Sequence, residues 1–150
     1  MALNNPHSAY RSTQTSTTTG HLKQIVMLHD GAIRFLAQAA AATADKDFAK
    51  KSLNLNKAIQ IIDHLWGSLD HEKGGEIAGN LSTIFAYMHK RLIFANFNDD
   101  VVAMEEVISH VRGLRESWAA LDAQSKPAKA TIKPQAQGGA AAREHLALAA

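Results

Sequence analysis

The chain has 150 residues, 46% of them hydrophobic, with 16 Lys and Arg, 14 Asp and Glu, and no cysteine. That length suits one domain with a real core, the missing cysteines remove disulfide and thiolate chemistry, and no apolar run approaches the ~18 residues of a membrane span. The surplus positive charge sits outside the folded part, because residues 1–124 carry 12 basic against 13 acidic side chains and residues 125–150 carry 4 against 1.

A basic face for nucleic acid is therefore not expected, and neither is a membrane partner. The N-terminus (Asn4, Asn5, Pro6, His7, Ser8) lacks the basic-then-apolar layout of a secretory signal, so the sequence reads as a cytoplasmic protein.

Residues 1–18 are polar apart from Tyr10 and read as a mobile N-terminal segment. The run Thr15-Ser16-Thr17-Thr18-Thr19 offers side-chain oxygens to cap a helix expected from about Gly20 to Ala44. There Leu22, Ile25, Val26, Ile33, Leu36 and Ala40 form one stripe, and Leu28, Ala32, Phe35 and Ala39 widen it beyond a simple bundle seam. Asp45 or Asp47 is placed to cap a second helix running to about Leu69. Its core face is Phe48, Leu55, Ile59, Ile62, Trp66 and Leu69, with Ser52 in the polar slot; Ala58, Ile61 and Leu65 widen that face in turn.

The segment Asp70 to Gly75 reads as a turn, since paired glycines reach positive φ at little cost. In the third helix Ile77, Leu81, Ile84, Met88 and Leu92 recur at gaps of four, three, four and four, one buried face. Asn96 to Asp100 ends it. Asp99 or Asp100 caps a fourth helix whose Met104, Val107, Val111, Leu114, Trp118 and Leu121 make the cleanest seam of the chain. No stretch alternates with period two, so no sheet is expected.

The predicted fold is all-α, an antiparallel four-helix bundle over residues 19–124. Residues 125–150, with Pro127, Pro134 and Gly138-Gly139, read as a low-complexity disordered tail.

Nothing in the sequence assembles chemistry. The eight histidines (His7, His21, His29, His64, His71, His89, His110 and His145) form neither Glu-x-x-His pairs nor His-Glu-x-x-His, and scattered surface histidines account for them better than metal ligands do. Glu106 and His110, four apart, suit a surface pair. No nucleophile elbow, phosphate loop or dinucleotide fingerprint is present. The expectation is a protein that is not an enzyme, with no catalytic residue, no metal and no cofactor.

What remains is excess apolar width on the first two helices. Tyr87 and Phe94 add to it, seven apart and off the core stripe of the third helix with Arg91 beside them. The plain reading is that the N-terminal segment or an outer helix covers them. The sharper one is a groove for amphipathic helices of a partner, in which Tyr10 sits as a displaceable plug.

The run Asn80-Leu81 through Tyr87-Met88, Arg91-Leu92 and Ala95-Asn96 resembles the third helix of the bacterial flagellar secretion chaperones, the flagellin-specific export chaperones. Met27-Leu28, Asp30-Gly31-Ala32-Ile33 and Phe35-Leu36 look like their first helix, and Lys57-Ala58, Ile61-Ile62, Leu65 and Ser68-Leu69 like their second. Gly74-Gly75-Glu76 resembles the turn into the third, and Leu114-Arg115-Glu116-Ser117-Trp118 the end of the fourth. The likeness runs from Tyr10 to about Trp118, in matching order and spacing. Two positions depart from it: His29 and Phe85 stand where the family pattern has Tyr, and both lose a hydroxyl.

The resemblance implies a cytoplasmic chaperone that binds the disordered C-terminal segment of flagellin, prevents premature polymerisation and delivers the subunit to the export apparatus. That apparatus and other flagellar regulators are the further partners it implies. Contact residues expected on matched positions and widened flanks are Tyr10, Ile25, Leu28, Ile61, Leu65, Tyr87, Arg91, Phe94 and Asn96, with Asn96 also suited to cap a helix. The alternative is a bundle that forms a homodimer through the same flanks, or a regulatory adaptor, without a folding client.

Overall fold

The computed structural model describes the backbone of residues 6–125 and the side chains of residues 20–125. Among these residues there are four helices and no strand: α1 (Pro6–Ala44), α2 (Phe48–Gly67), α3 (His71–Asn98) and α4 (Val101–Ser125). Connections of three, three and two residues force each helix to reverse on the last. Contacts between distant residues confirm the antiparallel order. Thr43 at the end of α1 donates to the Met104 sulfur near the start of α4 (3.9 Å), and Trp66 Nε1 near the end of α2 donates to Ser82 Oγ on α3 (2.9 Å). α1 packs on both α2 and α4, and α3 closes the bundle against the same two helices.

Asp side chains start three helices, each accepting from an unpartnered N–H of the first turn. Asp47 takes the Lys50 N–H (3.1 Å), Asp70 the Lys73 N–H (3.0 Å) and Asp100 the Ala103 N–H (3.1 Å). α3 ends on Asp99, in the left-handed conformation (φ 51°), with the Asp100 N–H returning to the Ala95 carbonyl at 3.1 Å. Asn96 therefore lies inside the helix and is not its cap. Its side-chain oxygen instead accepts from Ser52 Oγ (3.1 Å), and its carbonyl accepts from the buried Lys51 ammonium (2.9 Å), which also pairs with Asp99. These contacts tie the start of α2 to the end of α3.

On α1 and α3 the core repeats strictly at gaps of three and four. On α1 it runs Leu22, Ile25, His29, Ala32, Leu36 and Ala39; on α3, Ala78, Leu81, Phe85, Met88, Leu92 and Ala95. Leu55, Ala58, Ile59, Ile62 and Leu65 supply α2, and Ala103, Met104, Val107, Val111 and Trp118 supply α4.

Several sequence expectations change. α1 begins at Pro6, ahead of Gly20, and runs through Thr15–Thr19, so those residues do not cap it. Ala32 and Ala39 hold the centre of the α1 stripe, while Val26, Ile33 and Ala40 are half-buried at its edge. Ile84 is exposed and its neighbour Phe85 is core. Phe48 is exposed as well. The Asp70–Gly75 turn is shorter than expected, since helix resumes at His71 and only Gly75 breaks it, at φ 51° and ψ −124°, a region open to glycine. The core also holds polar groups where an apolar interior was expected: His29, Lys51, Asn54 and Asp122 are buried. The expected tail beyond residue 125 lies outside the described residues.

Candidate functional site

On the outer side of the α1–α2 pair lies an apolar groove of about 430 Å³. Gln24, Met27, Leu28, Gly31, Arg34 and Phe35 face it from α1, and Ile61 faces it from α2. These α1 positions form a strip beside the buried stripe, so the extra width of the first helix is real surface. Gly31 gives the groove its depth: a Cβ there would stand 3.4 Å from Ile61 Cδ1. At one end the Phe35 ring lies under two cations, Arg34 Cζ at 5.2 Å from the centroid and Lys57 Nζ at 5.3 Å.

A second apolar surface occupies the last turns of α3. Ile93, Phe94 and Phe97 are exposed there, Phe97 by 89%, and with His89, Lys90 and Asn98 they border an open hollow. Towards α4 this surface continues into a polar cluster centred on Glu106. Tyr87 donates its hydroxyl to one carboxylate oxygen, Arg91 Nε donates to the other at 2.8 Å, and His110 stands 3.9 Å away. The hydrogen bond from Tyr87 holds the Glu106 carboxyl below its ordinary range, with Arg91 acting in the same direction, and the same bond raises the Tyr87 phenol. Arg91 also lies over the Phe94 ring at 5.2 Å.

Of the residues expected to bind a partner, Leu28 and Ile61 meet across the α1–α2 groove. Tyr87, Arg91 and Phe94 form one continuous face of α3, linked through Glu106. Ile25 and Leu65 lie in the core and not on a flank, because both turn towards His29 and Trp118 around a small pocket. Asn96 is occupied by the Ser52 and Lys51 contacts. Tyr10 falls within α1, and its side chain lies outside the described residues.

Arg34, Ile93 and Phe97 were not singled out from sequence, and Met27 and Lys57 entered only as matched motif positions, not as contacts. Each is a single apolar or basic residue on a polar-looking face, and only the juxtaposition of two helices or two turns gives it neighbours.

Among the described histidines only His29 lies in the core, 1% exposed, against the surface placement expected for it. Its Nδ1–H donates to the Ile25 carbonyl at 2.7 Å, which leaves Nε2 as a buried acceptor without a hydrogen-bond partner. Burial pushes its titration below the usual 6.5. Among the described residues no three His, Asp or Glu side chains converge as metal ligands, and no helix is long and apolar enough to cross a membrane. What the two exposed surfaces can do is bury apolar side chains of another chain.

The fold and these surfaces define a class: an all-α bundle whose described residues leave apolar surface exposed and bring no convergent set of reactive groups together. The sequence model of the family described as "Flagellar protein FliS" matches residues 3–125. The chain belongs to that family, the flagellar secretion chaperones, and with it to a chaperone role in flagellar export. It is 45% identical over 95 residues to the flagellar secretion chaperone FliS of Salmonella typhimurium, covering 63% of this chain and 70% of the relative. With FliS of Bacillus subtilis it shares 34% over 119 residues (79% and 86%), and with FliSB of Pseudomonas aeruginosa 36% over 105 residues (70% and 82%).

Proposed function

We propose that this chain is a cytoplasmic chaperone that binds the C-terminal segment of flagellin, keeps it from polymerising and hands it to the export apparatus. The observation that carries the reading is the pair of apolar surfaces that the described residues leave exposed, the α1–α2 groove and the α3 face, on a bundle with its own packed core. An amphipathic helix lays its apolar side into such a groove, and two grooves let one segment wrap around the bundle. Ordering a disordered client costs about 2–5 kcal/mol, which contact over roughly 1,000 Å² or more offsets. Exposed Phe94 and Tyr87 with half-buried Arg91 on one surface, and half-buried Leu28 and Ile61 lining the groove on the other, are the contact residues favoured by their place.

The test is calorimetric titration with the recombinant C-terminal segment of the flagellin encoded in the same genome, paired with sizing. Saturable binding, a negative heat-capacity change and a gain in helical circular dichroism are expected. A chain that forms dimers and takes up no segment would support the dimerising bundle instead.

A further inference from the structure

We propose that the α1–α2 groove fixes the direction of the helix it takes. The bound helix runs parallel to α1, and its C-terminal turn, carrying an acidic side chain, lies against Arg34 and Lys57. This rests on the client-binding reading above and adds to it the polarity and charge of the segment that fits.

The charged residues that line the groove are at one end. From Gln24 to Phe35 is eleven residues, about 16 Å of helix or three turns; at the Gln24 end no charged side chain lines the groove, and the one cation nearby, the exposed Lys23 of α1, stands outside the lining. At the other end two cations from different helices converge. α2 runs antiparallel to α1, so Lys57, one turn before Ile61, stands on the same side of the groove's middle as Arg34, one turn after Gly31. Both are held over the Phe35 ring, at 5.2 and 5.3 Å. Neither takes part in an ion pair among the described residues. The acid nearest on α1, Asp30, is turned to the other side and engaged by Arg115 Nε of α4 at 2.8 Å.

A helix laid in this groove presents roughly half a positive charge at its N-terminus and half a negative charge at its C-terminus, where the last four carbonyls have no partner. In the parallel direction those carbonyls meet Arg34 and Lys57. A cation held near a ring still has N–H groups to offer to carbonyl or carboxylate oxygens. In the reverse direction the positive terminus meets two cations. The apolar floor binds either direction alike, so the charge at the end decides between them. An Asp or Glu in the last turn of the client helix adds a charge-assisted bond to the same pair.

The experiment is calorimetric titration of the full chain with the recombinant C-terminal flagellin segment, comparing wild type with Arg34→Glu/Lys57→Glu, Gln24→Lys and Gln24→Glu. All three positions are exposed, and circular dichroism checks the fold of each variant; Arg34→Gln/Lys57→Gln replaces the double reversal should that one fail to fold. The double reversal should weaken binding about tenfold or more, and the wild-type dissociation constant should rise with salt between about 50 and 300 mM. Gln24→Lys should weaken binding a few-fold while Gln24→Glu does not. A dissociation constant indifferent to these charges overturns the proposal, and so does the opposite response at Gln24, which would mean the antiparallel direction. A wild-type chain that does not bind the segment overturns the client reading itself, and the polarity with it.

Discussion

His29 of α1 and Phe85 of α3 line the same small, partly open pocket, a space of about 10 Å³ shared with Ile25, Leu65, Ser68, Leu69 and Trp118. These are the two positions that the resemblance marks as lacking an expected tyrosine, and both fall on one spot in the core. The imidazole Nε2 is left there without a hydrogen-bond partner, and 10 Å³ is about the least space that admits one water.

This arrangement predicts an acid-sensitive fold. Burial lowers the His29 titration in the folded state, with Arg115 acting in the same direction and the Ile25 bond and Asp30 opposing it. The unfolded chain, titrating near 6.5, then takes up the proton more readily. Stability is full above that value and falls as pH drops below it, by up to about 1.4 kcal/mol per pH unit until the folded-state value is reached. Urea unfolding between about pH 7.5 and 5.5 should show this slope, and His29→Phe should reduce it by close to one proton. An unchanged slope in the variant would assign the acid loss to other groups.

Gly31 separates stability from binding. In the middle of α1 an alanine is worth roughly 0.5–1 kcal/mol more than glycine, and its Cβ would sit at ordinary contact distance from Ile61. Gly31→Ala should therefore raise the unfolding midpoint while making the groove floor shallower and weakening capture of the flagellin segment several-fold. A variant that is more stable and binds equally well would remove the α1–α2 groove from the contact surface.

The four helices and their antiparallel order were legible because each apolar stripe repeats at gaps of three and four. The phase of a stripe was harder to read. On α3, Ile84 and Phe85 are adjacent and equally apolar, and the choice between them is settled by Ala78 and Ala95, small residues whose burial hydropathy underweights. Likewise Ala32 and Ala39 hold the α1 centre where α2 and α4 approach. The start of α1 was misread because Ser and Thr are weak helix formers that favour caps, a local preference the longer helix overrides. His29 and Lys51 could not be placed from spacing alone, since what buries them comes from other helices. The groove's width was visible in sequence; its charged end at Arg34 and Lys57 needed two helices side by side.

Lys51 and Asp99 make the second end of the bundle sensitive to charge. The Lys51 ammonium is nearly fully buried and shared between Asp99 and the Asn96 carbonyl, while Asp99 is about half exposed and adopts left-handed backbone. Asp99→Ala loses the ion pair and adds a left-handed penalty of about 1 kcal/mol. Asp99→Gly loses the same ion pair, leaving the buried Lys51 ammonium on the Asn96 carbonyl alone, but carries no left-handed penalty. The alanine variant should be the less stable of the two by roughly 1 kcal/mol in chemical unfolding. Equal midpoints would mean that Asp99 bears no backbone strain.

Phe94 tests whether the α3 face works as surface or as core. Its ring is 45% exposed and held under the Arg91 guanidinium, which is itself anchored on Glu106. An aspartate there replaces an exposed ring, opens no cavity and gains Arg91 as a neighbour, so Phe94→Asp should keep the helical circular dichroism and cost no more than about 1 kcal/mol of stability. An apolar contact face, by contrast, does not accept a buried carboxylate, and the variant should bind the flagellin segment at least about tenfold more weakly. Loss of helix in Phe94→Asp would make the residue structural. Intact folding with intact binding would leave the client to the α1–α2 groove alone, and Phe97, the most exposed aromatic of the same face, would then be the next position to change.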